Sequence, residues 1–276
     1  MWRGTAVIAS LLLLLSGLAW VVLIKQWESM AIPGIPPPEQ TSSISMPGMG
    51  DTPPSQPVSL TTRLHGLLLV HPGMGGVHPL LFLAIWVLMM VAMMFPSVAP
   101  MVIGFVHISR NKGSLATSWG TVGAFVAGYL GSWAAAGVAA LLLQLMLVRA
   151  LQDSTPVRVL QLTGGTAVIA AGVYQFTPWK RVCLSYCRTP LSFFLHAWRP
   201  GIKGALEMGT RHGAFCAGCC WGLMLVLFVT GLMNLAWMAA LSVIIGVEKL
   251  TPVGNTAARI LGGAFVAIGG LITVVS

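Results

Sequence analysis

Uncharged apolar runs long enough to cross a bilayer recur along this chain, and they limit what it can fold into. Thr5–Ile24 is one of them, bracketed by Arg3 and Lys25. A transmembrane helix needs about 20 predominantly apolar residues. Within lipid, every backbone N–H and C=O must be paired inside the segment, so such runs become helices. Composition agrees, with 56% of residues hydrophobic and 8% charged, against about a quarter charged in soluble domains. The expected fold is an all-α, polytopic membrane helix bundle.

About seven spans are expected. They fall at Thr5–Ile24 and at about Leu80–Ile103, Trp119–Val148, Val159–Phe176, Gly213–Thr230, Leu232–Val247 and Ala258–Val275. The first exceeds the roughly 7–15-residue core of a signal peptide, which favours a retained span; cleavage would leave six. Only "TGLMN" separates the fifth span from the sixth, as in a tight helical hairpin. Residues 31–79 differ in kind. They hold ten of the 17 prolines, with many glycines and serines, and cannot bury enough surface to fold. The chain thus divides into an N-terminal span (1–30), a flexible Pro/Gly/Met-rich external loop (31–79) and a helical membrane domain (80–276).

The net charge of +9 points to orientation, and no basic tract suggests nucleic acid. With the N-terminus in the cytoplasm and seven alternating spans, eleven of the 15 basic residues lie inside. Only Lys25, Arg63, Arg149 and Arg158 lie outside. That asymmetry follows the positive-inside rule and places the 31–79 loop outside. On the third span Ala124, Gly128, Ser132, Ala136 and Ala140 form a stripe of small residues, the pattern of a packing seam. Pro96 and Pro100 are expected to kink the second span.

Three of the five cysteines lie in "FCAGCCW" at 215–221. On a helix Cys216 and Cys220 stand one turn apart, with Cys219 beside them. His212 and Met224 extend the row at both ends. Such a row drifts by about 40° per step, so one ion cannot touch all four, but two neighbours can share one. The remaining thiols, Cys183 and Cys187, sit in "KRVCLSYCRTP" on the same side. Lys180, Arg181 and Arg188 are expected to lower their pKa values. A reducing cytoplasm argues against structural disulfides. Buried cysteines also often merely pack.

Methionine supplies a second soft donor. Met89 and Met93 pair at i+4 in "IWVLMMVAMMFPSVAPM", as do Met90 and Met94. Methionine at helical spacing commonly fills cores; beside thiols it also makes a thioether path. The outer loop adds Met46, Met49, His65, His71, Met74 and His78. Thiolate and thioether select Cu(I), whereas zinc rarely uses methionine. Copper is therefore the expected ion and zinc the lesser alternative. Glu248 and Lys249, at the inner end of the sixth span, are expected to snorkel, and Asn234 to cap a helix. Six acidic residues in all leave little scope for carboxylate chemistry, and no catalytic residue stands out.

The chain resembles a bacterial family of predicted metal-binding integral membrane proteins, a domain of unknown function. The likeness rests on Tyr174-Gln175, Pro178, Lys180, Cys183-Leu184, Cys187-Arg188 and Pro190. It continues at Gly213, Cys216, Gly218, Cys219-Cys220-Trp221 and Met224, then at Gly231, Met233-Asn234, Trp237-Met238 and Glu248-Lys249. The Trp86–Pro96 methionine segment matches as well, so roughly residues 80–270 are covered. The resemblance implies metal binding. The expected protein handles Cu(I) in a bacterial inner membrane, through Cys216, Cys219 and Cys220, then Cys183 and Cys187, with Met89, Met90, Met93 and Met94 as the path. Its expected partners are the lipid bilayer and a copper chaperone or copper-dependent membrane enzyme. A thiol–disulfide oxidoreductase using Cys216 and Cys219, or an assembly subunit without metal, are the alternatives.

Overall fold

The computed structural model describes residues 2–30, 79–111, 119–150, 157–231 and 234–275. The predicted loop at 31–79, with its methionines and histidines, lies outside the described residues apart from Pro79. Among the described residues all regular structure is helical. The elements are α1 (Trp2–Met30), α2 (Pro79–Asn111), α3 (Trp119–Ala150), α4 (Val157–Phe176), α5 (Pro178–Arg188), α6 (Pro190–Ala197), α7 (Gly201–Thr230), α8 (Leu235–Leu250) and α9 (Gly254–Val275).

A helix stands at each of the seven predicted spans. Five of them, α1, α2, α3, α7 and α9, are long and apolar enough to cross a membrane. The other two differ for separate reasons. α4 carries Arg158, Gln161, Thr163, Thr166 and Gln175 in its 20 residues, and α8 has only 16. Two further helices, α5 and α6, occupy what reads as loop in the sequence. Thr177 caps α5, its hydroxyl accepting from the Lys180 N–H, and Pro178 fills the first helical position. That position suits proline because its N–H has no helical partner anyway. Between α7 and α8, Gly231 takes a left-handed φ of +97°, and the Asn234 side chain accepts from Trp237 N–H at 3.2 Å. Asn234 is thus the cap that the sequence predicts.

α7 is the centre of the bundle, packing on α3, α4, α5 and α8. It begins at Gly201, well before the predicted Gly213. Its early turns are glycine-rich and lie directly on the small-residue stripe of α3. A Cβ on Gly209 would stand 2.0 Å from the Phe125 carbonyl oxygen, and one on Gly128 2.2 Å from that of Leu206. Ser132 Oγ donates to Thr210 O at 2.8 Å across the same seam. Gly209→Ala therefore forces the two helices apart. It is expected to cost about 1–3 kcal/mol, read as a lower unfolding midpoint of the protein in detergent.

α1 docks on α2 through a consequence of proline chemistry. Pro96 has no N–H, so the Ala92 carbonyl four residues earlier lacks its helical donor. Ser16 Oγ donates to that oxygen at 2.7 Å and Trp20 Nε1 at 3.1 Å. Ile8, Leu12, Ala19 and Leu23 of α1 are buried with them.

Candidate metal centre

The three thiols of α7 are fully enclosed, each 1% exposed. Helical geometry puts Cys216 and Cys220 on one face and Cys219 beside them. Cys219 Sγ lies 3.5 Å from Cys220 Sγ and 3.9 Å from Cys187 Sγ, which α5 brings in. Cys219 Sγ also donates to the Cys216 carbonyl oxygen at 3.2 Å. Four thiols from two helices thus form one group. No disulfide links them: all five cysteines are free. Cys183, one turn before Cys187, stands against Gly218, where a Cβ would be 3.1 Å from its sulfur.

α8 contributes the group's charge. Lys249 is buried, and its Nζ donates to Cys216 Sγ at 2.9 Å. The same ammonium lies 3.8 Å from Met94 Sδ of α2. Tyr129 Oη of α3 approaches Cys216 Sγ from another side at 3.1 Å. Sulfurs of α2 and α7 therefore meet at one lysine head, and α5 adds Cys187 beside Cys219. Neither Lys249 nor Glu248 snorkels. Glu248 is 1% exposed and accepts from Lys180 Nζ at 2.8 and 2.9 Å. Burying a charge is tolerable only with a partner, and each of these has one.

The basic residues of α5 do not serve its thiols. Lys180 is turned to Glu248 and Gln175, and Arg188 Nη2 donates to Thr251 O. Burial instead pushes the Cys183 thiol up. Cys187 is raised well above its ordinary value, first by the neighbouring Cys216 and then by burial. The predicted lowering by Lys180, Arg181 and Arg188 does not occur.

The remaining predicted donors flank the group. His212 precedes Cys216 by one turn and stacks on Tyr129 and Phe125, with ring centroids 5.8 and 6.3 Å away. Its Nδ1 is buried without a hydrogen-bond partner. Met224 follows Cys220 by one turn and is buried. Met89, Met90 and Met93 are buried in α2, upstream of Met94.

The donor set fits a soft monovalent ion. Sulfurs sharing one metal at about 2.3 Å stand roughly 4 Å apart, close to the Cys187–Cys219 and Cys219–Cys220 distances. Among the described residues, however, no three His, Cys, Asp or Glu side chains form a ready-made cage. The Cys219 thiol is engaged with Cys216 O at 3.2 Å, and Lys249 holds Cys216. Loading an ion requires these contacts to exchange.

Lys249 and Tyr129 are absent from the sequence-derived ligand set. A lysine following a glutamate at the end of an apolar helix, in a chain with six acidic residues, was the available sign. Tyr129 gives no such sign.

A family model described as PpoB2, copper chaperone, matches residues 83–272, roughly two thirds of the chain. The matched region holds α3 to α8 whole and nearly all of α2 and α9, hence every residue of the sulfur group. No curated protein and no solved structure matches.

Proposed function

The chain belongs to the PpoB2 copper-chaperone family, and from that premise we propose that it is a membrane-embedded carrier that holds Cu(I) as cargo at the sulfur group of α2, α5 and α7. The observation that carries this reading is the meeting of Cys187, Cys219 and Cys220 beside Cys216, which shares the Lys249 ammonium with Met94. Thiolate and thioether together favour Cu(I) over harder divalent ions.

Lys249 makes the charge balance work. Its ammonium pairs with a Cys216 thiolate, so the empty site is neutral. Cu(I) then binds Cys216 and one neighbouring thiol, Cys219 or Cys187, which gives up its proton. One positive charge enters and one leaves, and Lys249 remains as counter-cation. A divalent ion on the same two sulfurs would leave a buried positive charge unmatched, which is costly. Met89, Met90 and Met93 line the approach along α2, and His212 and Met224 flank the ends. The carrier lies in a bacterial inner membrane with its N-terminus in the cytoplasm, and passes its cargo to another copper protein.

Metal analysis of the purified protein in detergent, under reducing conditions, tests this directly. About one Cu(I) per chain and little zinc is expected after copper loading. Protein that loses all copper to a weak Cu(I) chelator would sink the proposal. A mixed disulfide trapped on a Cys219→Ser variant would favour the thiol–disulfide alternative.

A further inference from the structure

Away from the sulfurs, α4, α5 and α9 enclose a cavity of about 220 Å³. Its polar lining is Gln175, Lys180, Arg181, Asn255 and Arg259. No acidic side chain is part of that lining. Lys180 is committed elsewhere: its ammonium donates to both oxygens of Glu248 and to Gln175 Oε1. That pair is charge-matched and buried, so the net charge facing the cavity comes from Arg181 and Arg259. Arg188, nearby on α5, is occupied by the Thr251 carbonyl.

Gln175 supplies the second observation. Its carbonyl oxygen is held by Lys180, which fixes the amide orientation. Its Nε2 is then a donor, buried and without a partner, in a side chain only 2% exposed. A buried donor left unpaired costs free energy. Asn255 and Arg259 belong to the first two turns of α9, a 22-residue helix whose N-terminus carries partial positive charge. Every polar side chain of the lining offers at least one donor. The volume is many times what a single water needs.

We propose that this cavity binds a phosphate group, held by Arg181, Arg259 and Asn255 at the mouth and by Gln175 Nε2 at the back. Arginine forks suit phosphate oxygens. The cavity mouth is exposed, since Arg181, Asn255 and Arg259 all reach the surface. The phosphate therefore belongs either to an anionic lipid headgroup or to a water-borne phosphate, and the chemistry is the same. This site is separate from the sulfur group and does not depend on its cargo.

The test uses the full-length protein and its thermal unfolding midpoint, because a ligand that binds only the folded state raises it. One arm adds inorganic phosphate to protein in neutral detergent. The other places the protein in vesicles of phosphatidylcholine alone or mixed with phosphatidylglycerol. A rise in either arm is expected and names the source. The exposed pair Arg181→Gln with Arg259→Gln is expected to weaken apparent affinity roughly thirtyfold, about fivefold for each basic residue facing an anionic headgroup. The control pair Lys203→Gln with Arg211→Gln removes the same charge elsewhere and is expected to bind as the wild type does. No rise in either arm, or equal loss in both double variants, overturns the proposal.

Discussion

Cu(I) loading is expected to vanish in the triple variant Cys216→Ser, Cys219→Ser, Cys220→Ser. Serine is nearly isosteric with cysteine, but its hydroxyl is a hard, neutral oxygen that neither ionises near pH 7 nor matches a soft ion. Only Cys187 and Met94 would remain of the central donors. Loss of a residue that merely orients a ligand costs about 10–100-fold in metal affinity; loss of three ligands must exceed that. The expected outcome is copper at background level, with the helical circular-dichroism signal retained. Cys183→Ser is the informative companion. Its sulfur lies against Gly218, and its loss is expected to change affinity less than about tenfold, below the range for an orienting residue. A triple variant that still held stoichiometric copper would remove the thiols of α7 from the site.

Lys249→Met is the second large effect. Methionine keeps most of the side-chain volume and removes the charge. In the empty protein the change is mild, because Cys216 can stay protonated once its ammonium partner is gone. In the loaded protein two thiolates and one Cu(I) leave a net negative charge with nothing buried to oppose it. Removing one partner of a buried ion pair costs about 3–5 kcal/mol, so affinity is expected to fall at least 100-fold. A second readout separates this role from simple packing. Metal binding releases the protons of its ligands, and the count is expected to rise from about one per Cu(I) to two. An unchanged proton count would show that Lys249 does not hold Cys216 as a thiolate.

Helices at all seven predicted spans were legible in the sequence as apolar runs, and five of them have the length that crossing a bilayer requires. The docking of α3 on α7 was half legible. The small stripe from Ala124 to Ala140 announced a seam, but nothing in the chain named the glycines of α7 as its partner. The short helices α5 and α6 were missed, although Thr177-Pro178 and Thr189-Pro190 are each a capping residue followed by proline. At 11 and 8 residues they are too short to give a span signal, and that hid the cue.

The candidate site was legible in its atoms and not in its arrangement. Cysteines three and four apart on one helix can be placed from the sequence alone. The joining of Cys187 to Cys219 spans 32 positions, and that of Lys249 to Cys216 spans 33. Such contacts depend on how α5 and α8 fold back on α7, which no local pattern encodes. Snorkelling was a sound expectation for a charge at a helix end. It failed because Lys180, 68 positions away, offers Glu248 a buried counter-charge, and Cys216 offers Lys249 the other.

The proline in α2 has a consequence for how the first helix finds its place. Greasy rods in a greasy solvent gain nothing from choosing one neighbour over another by hydrophobicity. The orphaned Ala92 oxygen works as an address, read by a hydroxyl and an indole one turn apart on α1. A slide of α1 by a single residue would misplace both readers together. What looks like a defect in one rod thus sets the depth and rotation of the other.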